Sequence, residues 1–146
     1  MNERFLEYLR RIGLTETLVQ RVEDIYDLYA RFCPEEISGI FVTDYVTKEG
    51  AREYENLWFF SNSYSMEAQA FIRTYRMDLM SIGRRVQYVK ITKENFDFVE
   101  ATKDSRINVQ FTLAGAQFYG DLRASGNNCD YLMRVLSDHV MQNMAK

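Results

Sequence analysis

Cysteine, proline and histidine are all scarce in this chain of 146 residues. Its two cysteines, Cys33 and Cys129, are too few for a disulfide framework or a four-cysteine zinc site. We therefore expect each of them to be a small, buried apolar residue. The one histidine, His139, would need carboxylates or cysteines to complete a metal site. Its neighbours place it on the polar side of a helix, so it is predicted to be a surface residue, and no metal site is predicted.

Long apolar runs are missing as well. The longest, 57–60, is far too short to cross a bilayer. The segment 1–5 lacks the basic-then-apolar layout of a secretory signal, so we expect a cytoplasmic location. The sequence holds neither a nucleophile-elbow pattern nor a phosphate-binding glycine loop. We therefore expect no catalytic residue and no cofactor, and an enzyme with a pocket inside its sheet is the least favoured class of function.

The composition is that of a globular domain, with 47% apolar and 14% aromatic residues in a length that fits one core. A net charge of −3 and an isoelectric point near 5.3 argue against general nucleic-acid binding, which needs a broad basic surface. The charge is uneven, however: acids outnumber bases over 1–55. In 72–93, Asp78 is the only acid among six bases, which are Arg73, Arg76, Arg84, Arg85, Lys90 and Lys93.

Two helices are predicted at the N-terminus. Asn2 can cap the first helix and Gly13 can end it, and Thr15 can cap the second. The second helix carries a stripe of apolar residues at helical spacing, namely Leu18, Val22, Ile25, Tyr29 and Phe32. Such a stripe can pack on its own domain or meet another chain. The only proline, Pro34, stops this helix, and we place a boundary there, with a helical extension over 1–33 and a β domain over 34–146.

About seven short strands are predicted after the proline, followed by one long helix. The strands are expected over 36–47, 52–61, 64–82, 86–92, 95–101, 107–113 and 116–122. For 64–82 a strand is favoured over a helix because strands lie on both sides of it. The polar run 125–128 offers side-chain oxygens to the first N–H groups of the terminal helix, and apolar residues then recur at helical spacing over 129–144.

This order of elements resembles the pleckstrin-homology-like (PH-like) superfold. The likeness covers about 36–144 and is carried by the closing strands and helix at 107–111, 117–122 and 127–144. It implies an α+β fold, in which an N-terminal helical pair precedes an antiparallel barrel or strongly bent sheet capped by the C-terminal helix. Two features depart from the family. Its eukaryotic members carry a tryptophan in the terminal helix, whereas Trp58 lies on the second predicted strand. Glu49, Glu53 and Glu55 surround Lys48 and Arg52, where lipid-binding members have a basic motif.

The hypothesis that follows is a non-catalytic protein-interaction module, acting as an adaptor or in assembly. The stripe 18–32 would serve assembly, including a homodimer. An acidic partner protein would meet the basic residues Arg73, Arg76, Arg84, Arg85 and Lys90. One alternative is a domain that binds anionic lipid through Lys48 and Arg52, helped by Arg84 and Arg85. Another is a small dimeric secretion-type chaperone. Nucleic acid is not favoured as a partner.

Overall fold

Helices open and close the chain, with strands between them. The computed structural model describes residues 1–73, 76–81, 86–95, 102–113 and 119–144. Its elements are α1 (Glu3–Arg11), α2 (Glu16–Phe32), β1 (Gly39–Val46), β2 (Arg52–Phe60), β3 (Tyr64–Gln69), β4 (Arg76–Ser81), β5 (Val86–Glu94), β6 (Arg106–Leu113), β7 (Tyr119–Ser125) and α3 (Asn128–Val135). A π-helical turn at Leu136–Val140 and a 3₁₀ turn at Met141–Asn143 continue α3.

The two N-terminal helices begin and end where the sequence predicts. The side chain of Asn2 accepts a hydrogen bond from the backbone N–H of Phe5 at 3.0 Å. The hydroxyl of Thr15 accepts one from the N–H of Leu18 at 3.3 Å. Gly13, which follows α1, has a φ of +100°, a conformation that a glycine adopts without steric cost. The predicted caps of α1 and α2 are therefore confirmed.

The described strands form two antiparallel sheets, ordered β1-β2-β3-β4 and β5-β6-β7. The edges of β1 and β7 lie side by side, but the ladders of hydrogen bonds remain separate. Of the two predicted forms, a barrel or a strongly bent sheet, a closed barrel is therefore wrong for this part of the chain, whereas the antiparallel α+β architecture is confirmed. The described residues of 64–82 form two strands, β3 and β4, with a turn after β3 in which Ala70 has a φ of 53°, so they hold strands and not the alternative helix. Most of the predicted strand 95–101 lies outside the described residues.

One core joins the helices to both sheets. On one face of the first sheet, Tyr26 and Tyr29 of α2 meet the ring of Phe59 edge-on at 5.5 and 5.6 Å. On the other face, Trp58 stacks on Phe60 and lies 6.3 Å from Phe111 of the second sheet. Because the buried residues of α1 and α2 belong to the same cluster as those of the strands, the boundary predicted at Pro34 does not separate two cores.

The apolar stripe of α2 lies mostly inside this core. Val22, Ile25 and Tyr29 are at most 2% exposed, and Leu18 is half-buried. Phe32, at the end of the helix, is 61% exposed. The stripe therefore packs on its own domain, as one reading of its spacing allowed. Its predicted use for assembly with another chain is wrong for the three buried residues, since they are already covered.

The terminal helix departs from the prediction in two ways. Leu132, Leu136 and Val140 are buried as the spacing predicts, but the α-helix ends at Val135 and a π turn follows. Asn127 is the N-cap residue without a side-chain capping bond, so the predicted cap is wrong. His139 is half-buried, not a surface residue. Among the described residues, no helix is long and apolar enough to span a membrane.

Candidate interaction edge and buried polar cluster

Strand β5 has one edge that is open within the part of the chain that the structure describes. It pairs with β6 along one side from Val86 to Glu94. On its other side, the only pairing within the described residues is a single parallel bridge between Val86 and Met144. Backbone N–H and C=O groups along the rest of that side therefore have no strand partner among the described residues, and an edge of this kind can pair with a further strand.

The two faces of β5 offer different side chains. Residues opposite each other in an antiparallel ladder share a face, so Ile91 lies on the buried face with Val109, its partner on β6. Nevertheless Ile91 is 45% exposed. On the outer face, Tyr88 is 56% exposed and Lys90 lies opposite Gln110. The open edge thus combines an accessible apolar side chain on one face with a cation on the other.

The predicted basic residues are divided between the two sheets. Arg73 lies exposed in the turn between β3 and β4, and Arg76 begins β4 and forms an ion pair with Asp78 at 3.2 Å. Lys90 lies on β5 in the other sheet, and it makes no ion pair with a described residue. Arg84 and Arg85 lie outside the described residues. Of these five residues, Lys90 is the described one that lies on β5, and the use of the five as one partner surface stays a prediction.

A buried polar cluster lies where α1, β1, β7 and α3 meet. The amide nitrogen of Asn128 donates to a carboxylate oxygen of Asp44 at 2.8 Å, and the hydroxyl of Ser125 donates to the other oxygen. The hydroxyl of Tyr8 donates to the amide oxygen of Asn128 at 2.8 Å and accepts from the N–H of Val42 at 2.9 Å. Burial raises the pKa of Tyr8 well above its ordinary value, so this hydroxyl stays protonated and can donate.

Arg52 connects this cluster to the end of α1. Its guanidinium donates to the carbonyl oxygen of Ile12 at 2.8 Å, to the side-chain oxygen of Asn127 at 2.9 Å and to the hydroxyl of Ser125 at 3.3 Å. It also lies 3.9 Å from Asp44. Arg52 is therefore a structural link, and the engagement of its guanidinium within the chain weighs against the predicted role in binding lipid. Lys48, in contrast, is exposed.

Sequence reasoning missed this cluster, although one signal was present. Asp44 lies in a largely apolar segment of β1, and a carboxylate inside a buried strand needs hydrogen-bond donors. The donors come from positions more than eighty residues away, which no local pattern reveals. The chemistry of the cluster is structural, because every polar group named in it binds another element of the chain.

No family model, curated protein or solved structure matches this chain. Within the described ranges, no three histidine, cysteine or acidic side chains are grouped so that they could hold a metal ion. Function is therefore inferred from the chain's own geometry, above all from the open edge of β5.

Proposed function

We propose that this chain is a non-catalytic interaction module that binds an extended segment of another protein as an added strand on β5. The observation that carries the proposal is the open edge itself, which bears exposed side chains on both faces. Backbone hydrogen bonds to the edge would supply affinity, and alternate side chains of the partner would supply specificity.

The chemistry of the edge defines the partner. An apolar side chain would pack on Ile91 on one face, and a carboxylate on the opposite face would meet Lys90. A lysine on an open edge also discourages pairing with strands of arbitrary sequence, since such a strand would have to cover a charge. We therefore infer an extended acidic segment with interspersed apolar residues, in keeping with the acidic partner expected from the sequence.

The PH-like resemblance and a cytoplasmic setting are parts of this proposal. The order of seven described strands followed by a helix supports the resemblance. Anionic lipid is a weaker alternative because the guanidinium of Arg52 is engaged within the chain. A dimeric chaperone is weaker as well, because the α2 stripe that would form the dimer is largely buried.

A selection of phage-displayed linear peptides on the immobilised protein tests the proposal. Selected peptides should alternate acidic and apolar residues, and amide hydrogen exchange should show new protection along β5. Lys90→Glu should weaken the binding of these peptides about tenfold, because it replaces a favourable charge pair with a repulsive one. Ile91→Lys should also weaken peptide binding, because it removes the apolar contact. The matched control is Arg31→Glu, which makes the same charge change at an exposed residue of α2.

The result that would overturn the proposal is equally specific. Peptides that bind both β5 variants as tightly as the wild-type protein do not use this edge. Exchange protection that appears outside β5 and its neighbours would lead to the same conclusion. If β5 instead becomes protected as protein concentration rises, without any peptide, the occupant of the edge is a second copy of the chain, and the proposed partner is wrong.

A further inference from the structure

A groove runs between α1, the start of β1 and the terminal helix. Its volume is about 180 Å³. That is below the usual range for sites that enclose drug-sized molecules, so it suits a small chemical group. Among the residues that line it are Arg4, Tyr8, Gly39, Tyr131, Arg134 and His139. None of them belongs to β5.

The π turn places His139 in this groove. Its ring stacks on Phe60, with the ring centres 5.1 Å apart and the planes 15° from parallel. Its edge lies against Gly39, where an added Cβ would come within 2.3 Å of Nε2. The absence of a side chain at Gly39 is therefore a condition for this ring position. Single π turns within helices occur often at functional sites.

Two guanidinium groups from different elements share the groove. Arg4 comes from the first turn of α1 and Arg134 from the last turn of α3. Neither forms an ion pair with any described residue, including Asp138, which also lines the groove. Four other arginines do form ion pairs, namely Arg10, Arg52, Arg76 and Arg123. The groove therefore holds two guanidinium groups that have no ion-pair partner among the described residues, against the one carboxylate of Asp138.

The aromatic lining orients one of these cations. The guanidinium carbon of Arg134 lies over the ring of Tyr131, 5.6 Å from its centre. This cation–π contact holds the group near the groove, and its N–H donors make no hydrogen bond to a described residue. The planar fork of a guanidinium matches the oxygens of a phosphate or a carboxylate.

We propose that the groove between α1 and the terminal helix binds a small oxyanion, the phosphate or carboxylate group of a ligand, between Arg4 and Arg134. The ring of His139 offers a further polar contact at the floor of the groove. This site is independent of the strand-addition proposal, since it uses other residues of the fold.

Titration calorimetry with inorganic phosphate and with acetate, at constant ionic strength set by chloride, tests this site in the full chain. One of the two anions should bind with a dissociation constant of about 1 mM or lower, as expected for two charge-assisted contacts. Tighter binding of phosphate identifies a phosphorylated ligand, and tighter binding of acetate identifies a carboxylate. In a parallel NMR titration, the resonances of His139, the only histidine, should shift with the same constant.

Variants then locate the anion. Arg4→Gln and Arg134→Gln should each weaken binding about tenfold, and His139→Gln should weaken it severalfold. Arg31→Gln is the matched control, because it removes an exposed arginine outside the groove and should leave binding unchanged. Circular dichroism should show that all four variants are folded. If neither anion binds, or if Arg31→Gln weakens binding as much as the two groove variants do, the proposal is wrong.

Discussion

The protonation state of His139 is determined by the groups that surround its ring. Burial lowers the pKa of its imidazole, and the nearby carboxylate of Asp138 opposes this effect less strongly. The stacked ring of Phe60 and the bare backbone of Gly39 enclose it. The neutral imidazole is therefore the form that the folded chain favours.

This preference predicts how stability depends on pH. Because the folded pKa lies below the unfolded one, the unfolded chain binds more protons in the interval between them. The contribution of His139 to stability is complete above the unfolded pKa and is lost as the pH falls toward the folded one. Urea unfolding at about pH 7.5 and about pH 5 should therefore show a larger loss for the wild-type protein than for His139→Gln. Equal losses would contradict the effect of burial.

Helix caps separate what local sequence can predict from what it cannot. Asn2 and Thr15 bind N–H groups three residues along the chain, so the sequence around them contains the whole interaction. The asparagines before α3 offer the same chemistry, yet the side chain of Asn127 binds Arg52 and Arg11, and that of Asn128 binds Asp44. These distant partners come from the fold, so the sequence pattern correctly predicted a helix there but not the use of its first side chains.

Among the secondary-structure elements, α2 shows what an apolar stripe in the sequence can predict and what it cannot. Its spacing correctly predicted which face is apolar, but spacing does not identify the surface that covers this face. The structure supplies that surface in the first sheet, through the contacts of Tyr26 and Tyr29 with Phe59. The exposed member of the stripe is Phe32 at its end, and Leu18 at its start is half-buried.

A carboxylate introduced at a buried residue of the stripe should lower stability far more than one introduced at an exposed residue. Ile25→Asp places a carboxylate in the core and should lower the free energy of unfolding by about 3–5 kcal/mol. Phe32→Asp, at an exposed position, should change it by no more than about 0.5 kcal/mol. Urea unfolding followed by circular dichroism measures both values. A folded Ile25→Asp protein that differs from wild type only in its sedimentation would show instead that the stripe is an interface.

The strands were predictable where their alternation is regular. β6 follows the predicted two-residue period, with Val109 and Phe111 buried between half-buried polar residues. The position of β5 at the edge of its sheet was not predictable, because strand order depends on contacts between distant segments. Thus the sequence predicted the strand that forms the candidate site but not the open edge that gives the strand its proposed role.

In the whole molecule, the buried polar cluster is the point at which the elements are joined. Asp44 lies at an irregularity in the pairing of β1 with β2, and its partners come from β7 and α3. Tyr8 adds α1 to the same cluster. The cluster thereby fixes how the helices sit against the seam between the two sheets.

Loss of one central member should weaken the entire fold. Asn128→Ala removes a donor to Asp44 and the acceptor of the Tyr8 hydroxyl, leaving buried polar groups without partners. We expect the free energy of unfolding to fall by about 2–4 kcal/mol. Asn62→Ala, at an exposed turn, should change it by no more than about 0.5 kcal/mol. Equal effects of the two substitutions in urea would show that the cluster does not hold the elements together.

The only tryptophan, Trp58, lies fully buried where the two sheets meet. It stacks on Phe60, and the ring of His139 stacks on the same phenylalanine. Its intrinsic fluorescence therefore comes from a single location at the centre of the protein. Emission from this indole should be blue-shifted in the native chain and move to longer wavelength when water reaches it. The protein thus contains its own optical reporter of the contact between its sheets, without any added dye.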